Sequence, residues 1–249
     1  MHDLLMYIKT KKMDNQQLDN LTNEETQLLL SLYLGDGSYT KHQIQDNYSV
    51  YTSSINEDLL RYKKSLVTTL TASDIKLIPN PGYKKDGTIF KMSINSSVKI
   101  GQIYQLSLQE KLDKLDKLGL ALWFYDDGSL HKKCNFYNLC THSFSIEDQM
   151  LMLEKLKEFG IYGKLLKEKK RDGRVFWYIY VSKYNGAFEI SKIMAECNIE
   201  SMKYKLWSPT TILKWSTVQE DWKSRGVYNL DTFNLHMRQL NKSNGRLKI

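Results

Sequence analysis

The sequence predicts an α+β fold made of two copies of one unit, and three observations support this prediction. A nine-residue segment occurs twice, at 29–37 and again at 120–128. Each copy is an apolar, helix-like run that ends in an acidic residue followed by Gly and Ser; these acids are Asp36 and Asp127, 91 positions apart. An Asp-Gly turn follows 50 residues after Asp36 and 45 residues after Asp127, each time before an alternating strand. The spacing predicts a pseudo-symmetric molecule with one carboxylate per half.

The first half is predicted to begin with a helix. Thr22-Asn23-Glu24-Glu25 is a capping box, which places a helix N-terminus at Thr22, and the helix continues to about Gly35. After it we expect a strand at 43–53, a helix at 56–70, an Asp-Gly hairpin turn at 84–87 and a strand at 88–95. The order is helix, strand pair, helix, strand pair, helix.

The second half repeats this order. Its first helix begins near Asp113 or Asp116 and is apolar from Leu118 to Tyr125. We then expect a strand at 135–143, a helix at 147–159, a turn at 169–173 and a strand at 174–182. Because both apolar helices would be buried on several sides, they are expected to pack against each other at the centre, with Ser31, Gly35, Gly119 and Ala121 permitting a close approach.

The strands alternate between an apolar and a polar face. In the last strand Val175, Trp177, Ile179 and Val181 share one face, and Tyr178 and Tyr180 lie on the other. This pattern is typical of an antiparallel sheet that is covered by helices on one side. The polar face of a single strand is most simply a solvated surface, but amides, hydroxyls and lysines on four strands fit a groove-reading surface, because Gln and Asn pair with adenine and Lys and Arg with guanine. The candidates in the first half are Gln43, Gln45, Asn47, Lys91 and Ser93.

The composition favours a polyanionic partner. There are 36 Lys+Arg against 28 Asp+Glu, a formal net charge of +8 and a pI near 9.1. The cysteines, Cys134, Cys140 and Cys197, lack zinc-ligand spacing and indicate a reduced, intracellular protein. No apolar stretch approaches a membrane span, and the first residues do not form a signal peptide. These patterns do not distinguish a mitochondrial matrix from a bacterial or phage-infected cytoplasm.

The paired acids predict a metal site. A carboxylate at a helix C-terminus faces the negative end of the helix dipole, and two such carboxylates repel each other when their helices pack together. Asp126 adds a third acid beside Asp127. Oxygen ligands at a phosphate-facing surface suit Mg²⁺, which keeps several waters and takes one or two protein carboxylates. The alternative is that Asp-Gly only ends each helix in a turn, and its occurrence in two matched copies argues against this.

These two segments resemble the LAGLIDADG motif of homing endonucleases, in the single-chain form with two motifs. Asp36 and Asp127 occupy the eighth motif position, and the resemblance covers roughly residues 22–210. It implies a pseudo-symmetric duplication of αββαββα units, with two antiparallel four-stranded DNA-binding saddles and the two motif helices paired at the centre. It also implies a monomer that cuts both strands of double-stranded DNA at a long asymmetric site and mobilises its host intron.

The resemblance further implies the roles of the site residues. Asp36 and Asp127 would bind Mg²⁺, or Mn²⁺, helped by the backbone carbonyls of Gly35 and Asp126. The segment 202–206 is similar to the family's stretch that carries a basic residue near the active centre, which points to Lys205 as a catalytic residue. For the first half, either Lys111 or Lys99 substitutes, or one half-site is chemically weaker.

Further basic residues are expected at the phosphates. The run 164–174 holds six of them and is interpreted as a phosphate clamp that gives affinity rather than sequence choice, with a solvated hairpin tip as the alternative; Lys84 and Lys85 at the equivalent tip of the first half support the clamp. His142 is expected to contact a base or phosphate, and a histidine-based nuclease site is the less favoured alternative. The remaining candidates for DNA contact are Lys84, Lys85, Lys132, Lys133, Lys167, Lys169, Lys170, Arg171 and Arg174.

The expected organisation is an N-terminal extension at 1–21, a first half at 22–112, a second half at 113–208 and a basic extension at 209–249. Two other functions fit the same scaffold. One is an RNA-binding maturase that helps its host intron fold, and the other is a DNA-binding regulator without chemistry. Metal-dependent DNA cleavage distinguishes them from an endonuclease.

Overall fold

The structure is a computed structural model that describes residues 21–43, 46–80, 87–170 and 172–224. The first half follows the order helix, two strands, helix, two strands, helix. Its elements are α1 (Asn23–Leu34), β1 (Ser38–Lys41), β2 (Tyr48–Ser54), α2 (Glu57–Ser65), β3 (Lys76–Pro79), β4 (Thr88–Ser97) and α3 (Val98–Gln105).

A short helix, α4 (Leu108–Lys114), connects this half to the second copy, which has the same order. The elements of the second copy are α5 (Lys117–Asp127), β5 (Gly128–His131), β6 (Phe136–Leu139), α6 (Ile146–Glu158), β7 (Lys164–Lys169), β8 (Val175–Val181) and α7 (Ala187–Ala195), followed by a 3₁₀ helix (Glu200–Lys205) and α8 (Pro209–Ser224). The predicted α+β duplication is confirmed.

Each half forms one antiparallel sheet of four strands, in the orders β1-β2-β4-β3 and β5-β6-β8-β7. The registers correspond between the halves. In the first sheet Tyr51 of β2 pairs with Ser93 of β4, and in the second Asn138 of β6 pairs with Tyr180 of β8. The same topology with the same strand order is the structural result of the duplication.

The two motif helices, α1 and α5, pack against each other at the centre of the core. Apolar side chains on nearly every side of both helices are buried, as expected for helices without a polar face. Gly35 permits the close approach, because a Cβ atom there would stand 3.0 Å from Cβ of Asp126. At the other end Gln27 joins the helices: its Nε2 donates to the Lys114 carbonyl at 2.8 Å, and its Oε1 accepts from the Asp116 amide at 2.9 Å.

Local capping explains where these helices begin. Thr22 caps α1 in a capping box with Glu25, as predicted. Asp116, one of the two predicted starts, caps α5 by accepting from the amides of Leu118 and Gly119. Ser145 caps α6 in the same manner, with Asp148 completing the box.

Three predicted elements differ from the structure. The first is the strand predicted at 43–53, because β2 begins only at Tyr48; Gln43 and Asn47 lie in the loop between β1 and β2, closed by a hydrogen bond from the His42 amide to the Asn47 carbonyl. Second, β6 ends at Leu139 rather than at 143. Third, the helix predicted at 56–70 ends at Ser65, because the backbone amides at 68–70 donate to the buried Glu25 carboxylate instead.

The chain divides into two compact units, Met1–Leu206 and Trp207–Ile249. Both sheets and both motif helices belong to the first unit. Within the second unit, α8 is the described helix, and the rings of Trp207 and Trp215 meet edge to face. Across the described ranges, every helix is too short or too polar to span a bilayer.

Candidate active site

The two acids lie where their helices end. Gly35 follows α1 and donates its amide to the Ser31 carbonyl, and Asp36 comes next. Asp127 is the last residue of α5, and the amide of Gly128 closes that helix on the Phe124 carbonyl. Because both helices run through the core in contact with each other, their C-terminal ends bring the two carboxylates to the same region of the molecule. The negative ends of both helix dipoles therefore add to the charge of the acids.

Each acid opens into a hollow of its own. The hollow beside Asp36 has a volume of about 330 Å³, and the hollow beside Asp127 about 280 Å³. The polar residues around the first are Ser53, Ser54, Asn56, Asn80, Asp126, Tyr204 and Lys205. Those around the second are Ser129, Asn138, Cys140, His142, Glu168 and Tyr178. Each hollow is large enough for waters, an ion or a phosphate group beside its carboxylate.

The electrostatics of the two acids reflect their burial and the negative charge around them. Burial, and then the charges of Asp36 and Asp126, raise the pKa of Asp127 to about 7. Desolvation and the Asp126 carboxylate also raise the pKa of Asp36. Lys63 and Lys205 oppose both shifts without cancelling them. The pair is therefore short of positive charge, which is the condition that a bound cation relieves.

The third acid, Asp126, is neutralised by a lysine from the other half. Lys63 lies on α2 of the first half, and its Nζ is 2.6 Å from Oδ1 and 2.8 Å from Oδ2 of Asp126. Both side chains are buried, with exposed fractions of 0% and 1%. The Asp126 carboxylate therefore contacts Lys63 and the backbone near Gly35, and its charge still raises the pKa of both Asp36 and Asp127.

Lys205 lies at the centre, where the sequence predicted it. Its Nζ donates to the backbone carbonyls of Tyr125 at 2.5 Å and Asp126 at 3.2 Å. The hydroxyl of Tyr137 holds the Lys205 carbonyl at 2.6 Å and so fixes the 3₁₀ helix that carries the lysine. Burial lowers the pKa of Lys205, and the three nearby aspartates oppose this shift.

The two lysines considered for the first half lie elsewhere. Lys111 is buried and donates to the carbonyls of Tyr104 and Leu106, which end α3, and its Nζ stands 3.9 Å from the ring centre of Tyr33. Burial lowers its pKa to about 8. Lys99 lies in the first turn of α3. Neither residue lines either hollow, and of the first-half lysines that the structure describes, Lys63 is the one that pairs with an acid of the centre.

The structure places the predicted DNA contacts in several parts of the molecule, and Gln43 and Asn47 lie in the β1–β2 loop. Lys91, Ser93, Tyr178 and Tyr180 lie on the sheet faces turned away from the helices, as predicted. Lys132 and Lys133 are exposed in the β5–β6 turn, His142 borders the Asp127 hollow, and Lys170 and Arg174 are exposed at the second hairpin. Gln45, Lys84, Lys85 and Arg171 lie outside the described residues.

Lys167 and Lys169 lie on the opposite face from the one that was predicted. They pair with Trp177 and Val175 of β8, so strand alternation puts them on the helix-side face of the sheet, opposite to Tyr178 and Tyr180. The prediction grouped them with the hairpin tip because the run 164–174 is rich in basic residues, but in a strand only every second residue shares a face.

The donor set fits a divalent cation of the magnesium type. Among the described residues, no three His, Cys, Asp or Glu side chains are grouped closely enough to hold a metal alone. A cation at the acids would therefore depend on carboxylate, carbonyl, water and phosphate oxygens, which is the coordination that Mg²⁺ prefers. The Asp127 hollow also contains a buried amide oxygen, Oδ1 of Asn138, which has no hydrogen-bond partner within the described ranges.

Sequence reasoning missed Lys63 and Asn138. A signal for Lys63 was present, because it follows Leu59 and Leu60 at helical spacing and so lies on the apolar side of α2. A lysine in such a position needs a buried anion, and Asp126 was the spare acid in an apolar helix. Asn138 alternates with the buried Tyr137 and Leu139, which places it on the outward face of β6.

Comparisons with known proteins agree with this geometry. The model of the LAGLIDADG DNA endonuclease family matches residues 26–188. A curated relative, the "Probable intron-encoded DNA endonuclease 3" of Mycosarcoma maydis, is 30% identical over 96 residues, which are 38% of this chain and 66% of the relative. The match thus spans just under two thirds of that relative's length.

A solved structure has the same fold. It is the homing endonuclease I-WcaI bound to its DNA recognition sequence, with a TM-score of 0.62 and 18% sequence identity. The alignment covers 79% of this chain and 92% of the other.

Proposed function

The chain belongs to the LAGLIDADG DNA endonuclease family, and from this premise we propose that it hydrolyses both strands of double-stranded DNA at a long asymmetric site and mobilises its host intron. The observation that carries the proposal is the pair of acids, Asp36 and Asp127, at two packed helix ends that each open into a separate hollow. One acid and one hollow per half suit one scissile phosphodiester per strand.

The acids hold the divalent cation in this proposal. Asp36 and Asp127 bind Mg²⁺ or Mn²⁺, with the backbone carbonyls of Gly35 and Asp126 as further oxygen ligands. A divalent ion there supplies an activated water, stabilises the leaving oxygen and neutralises charge at the phosphate. The neutralised Asp126 side chain takes no part in binding the cation, since Lys63 already pairs with it.

Lys205 is the catalytic cation of the protein. Its Nζ holds the Tyr125 and Asp126 carbonyls and borders the Asp36 hollow, so its charge lies where negative charge develops at a phosphate. Because burial lowers its pKa, this ammonium gives up a proton more readily than a solvated lysine, and it suits a role in orienting or polarising the attacking water.

The two sheets bind the duplex. Their helix-free faces are directed to the major groove on either side of the cut, where Lys91 and Ser93 lie on one sheet and Tyr178 and Tyr180 on the other. Exposed basic residues beyond these faces, Lys132, Lys133, Lys170 and Arg174, contact phosphates and supply affinity that depends on salt concentration. One chain contains both halves and acts as a monomer, with the first half at 22–112 and the second at 113–208.

The test is cleavage of a DNA fragment that spans the uninterrupted form of the locus carrying this reading frame. We expect cutting at one position with Mg²⁺ and none with a chelator. Asp127→Asn should lower the cleavage rate by at least about 10³-fold while binding persists, because a ligand worth several kcal/mol is lost. Asp113→Asn, an exposed acid on α4, is the matched control and should cut normally. Undiminished cutting by Asp127→Asn would contradict the assignment.

A further inference from the structure

The two sheets carry different chemistry on the faces turned away from the helices. On the second sheet, buried Tyr137, Leu139, Ile179 and Val181 occupy the helix side. The alternate positions of β6 and β8 therefore lie on the other face. With two neighbouring histidines they form an outward aromatic stripe, defined as His131, Phe136, His142, Phe176, Tyr178 and Tyr180.

The rings of this stripe contact one another. Phe136 lies 5.0 Å from Tyr180 and stacks on His131 at 4.6 Å with an interplanar angle of 8°. At the other end His142 lies 5.2 Å from Phe176 and 6.1 Å from Tyr178. All six rings keep solvent-accessible surface. These contacts fix the rings in position and leave an ordered aromatic surface exposed.

The first sheet has a hydroxyl and ammonium surface in the same place. The outward positions on its two central strands include Ser53, Lys91 and Ser93, and Tyr51 is the single aromatic ring of the outward face among the described residues. The Nζ of Lys91 stands 4.8 Å from the centre of that ring. The second sheet also carries hydrogen-bonding groups on this face, in its tyrosines and histidines and in Lys164, which pairs with Tyr180. What distinguishes it is the number of neighbouring rings, whose faces and edges can make apolar contacts that hydroxyl and ammonium groups do not make.

One polar residue within the stripe, Asn138, indicates which base pair the stripe would contact. Asn138 lies two residues after Phe136 on β6 and pairs with Tyr180 of β8. Its Oδ1 is buried and has no hydrogen-bond partner in the part of the chain that the structure describes. A carboxamide in the major groove matches the N6 amino group and N7 of adenine, and the thymine paired with that adenine presents a methyl group to an apolar side chain. Adenine for the amide and thymine methyls for the rings are two features of one base pair.

We propose that the outward aromatic stripe and Asn138 read an A·T-rich half-site through thymine methyl groups and an adenine edge, while the first sheet reads its half-site through hydrogen bonds. This inference rests on the proposed function and adds the chemical class of one half of the substrate. The part of this specificity that the rings supply is apolar contact, which is sensitive to the loss of one methyl group, and Asn138 supplies the hydrogen-bonded part.

The experiment begins with a randomised duplex library, from which the fraction cut by the protein with Mg²⁺ is sequenced. The half-site that loses its sequence preference in Lys91→Met lies under the first sheet and fixes the orientation. Thymine should be enriched in the opposite half. In the selected duplex, thymines of that half are then replaced by deoxyuracil, which removes the methyl groups and keeps every hydrogen bond.

We expect binding to weaken about fourfold for each methyl that the stripe buries, and the same replacement under the first sheet to have little effect. In Phe136→Ser the difference between thymine and deoxyuracil should shrink, and Asn138→Leu should reduce the preference for adenine at one position. Both side chains lie on the outward face, and a thermal melt verifies that the variants fold. The deoxyuracil comparison needs no variant.

Each other outcome is distinguishable. A specific cut site that shows no thymine enrichment, or that is indifferent to deoxyuracil, overturns this inference and leaves the nuclease intact. A library that is never cut with any divalent metal overturns the proposed function, and the inference falls with it. Binding to single-stranded oligonucleotides that is tighter than to duplex and lost in Phe136→Ser also overturns it, because the rings then stack on unpaired bases.

Discussion

The two halves of this molecule share a topology but differ in charge where their motif helices end. The first copy ends in Gly35 and Asp36, and the second in Asp126 and Asp127. Both lysines of the centre are directed to the second copy: the buried Lys63 pairs with the Asp126 side chain, and the half-buried Lys205 donates to the backbone carbonyls of Tyr125 and Asp126. The acids are thus symmetric while the cations that compensate them are not.

This difference shows that the two halves of a duplicated fold can carry different charges at equivalent positions. Strand order and register follow from local patterns that each half carries in its own sequence. The pairing of Lys63 with Asp126 joins residues of different halves, so only the assembled molecule contains it. The following predictions test whether this asymmetry matters, from the largest expected effect to the smallest.

Lys63→Met should lower the free energy of unfolding by about 3–5 kcal/mol, because it leaves the Asp126 carboxylate buried without a partner. The measurement is chemical denaturation at neutral pH. Lys155 on α6 is the matched control in the second half: it is mostly buried, but its partner Glu158 is exposed, so Lys155→Met should cost less than about 1 kcal/mol.

The double variant Lys63→Met/Asp126→Leu sharpens this comparison. It removes both charges, so it should recover at least half of the lost stability. If Lys63→Met and Lys155→Met prove equally mild, the buried pair does not stabilise the junction of the halves.

Lys205→Met should reduce the single-turnover cleavage rate by about 10²–10³-fold with a small change in DNA affinity, because a fixed charge beside the phosphate is lost. Lys203 lies in the same 3₁₀ helix and pairs with the exposed Glu200, so Lys203→Met should cut at nearly the normal rate. Measuring the cleavage rate of each DNA strand separately adds a test of the asymmetry. If Lys205 acts at one hollow, Lys205→Met should slow the cutting of one DNA strand more than that of the other. Equal rates for Lys203→Met and Lys205→Met would contradict a catalytic role.

Glu25→Gln should remove a pH-dependent contribution that only the first half contains. Its carboxylate accepts from the amides of Thr68, Thr69 and Leu70 and from the Thr69 hydroxyl, which hold its pKa near 2 despite burial. A lowered folded-state pKa stabilises the protein above the unfolded value of 4.5, and this contribution disappears as the pH falls from 4.5 toward 2.

Glu25→Gln should lower the free energy of unfolding by about 3 kcal/mol at neutral pH. The measurement is denaturation of the wild type and the variant at pH 7 and at pH 3, and the difference in stability should be smaller at pH 3. Glu110 also completes a capping box, but it is exposed. Glu110→Gln should therefore cost less than about 1 kcal/mol at either pH. A Glu25→Gln deficit that is the same at pH 7 and pH 3 would argue against a role of the charged carboxylate.

The parts of the fold that the sequence predicted are those with local causes. The motif helices carry their own caps and are apolar on nearly every side, so both their existence and their starts were predictable. The early end of α2 was not, because the amides at 68–70 are drawn to Glu25, more than 40 residues earlier in the chain. Gln43 was placed on a strand because an alternating polar pattern continues through a loop that closes between His42 and Asn47.

The same division applies to the site. The positions of Asp36 and Asp127 follow from the repeat, which is visible in the sequence itself. Lys63 and the stripe of rings on the second sheet depend on which strands and helices become neighbours. Alternation predicted that Tyr178 and Tyr180 share a face, but not that Phe136 and two histidines would complete a continuous surface with them.

The close approach of Gly35 to Asp126 determines which halves could be combined in an engineered chain. A symmetric dimer of second halves would set Asp126 against its own copy, with no glycine to make room and no Lys63 to neutralise either charge. The junction therefore suits two non-identical halves, with a glycine on one side and a lysine-paired aspartate on the other. We expect a chimaera with a foreign first half to be more stable when that half has a glycine and a lysine at these two places.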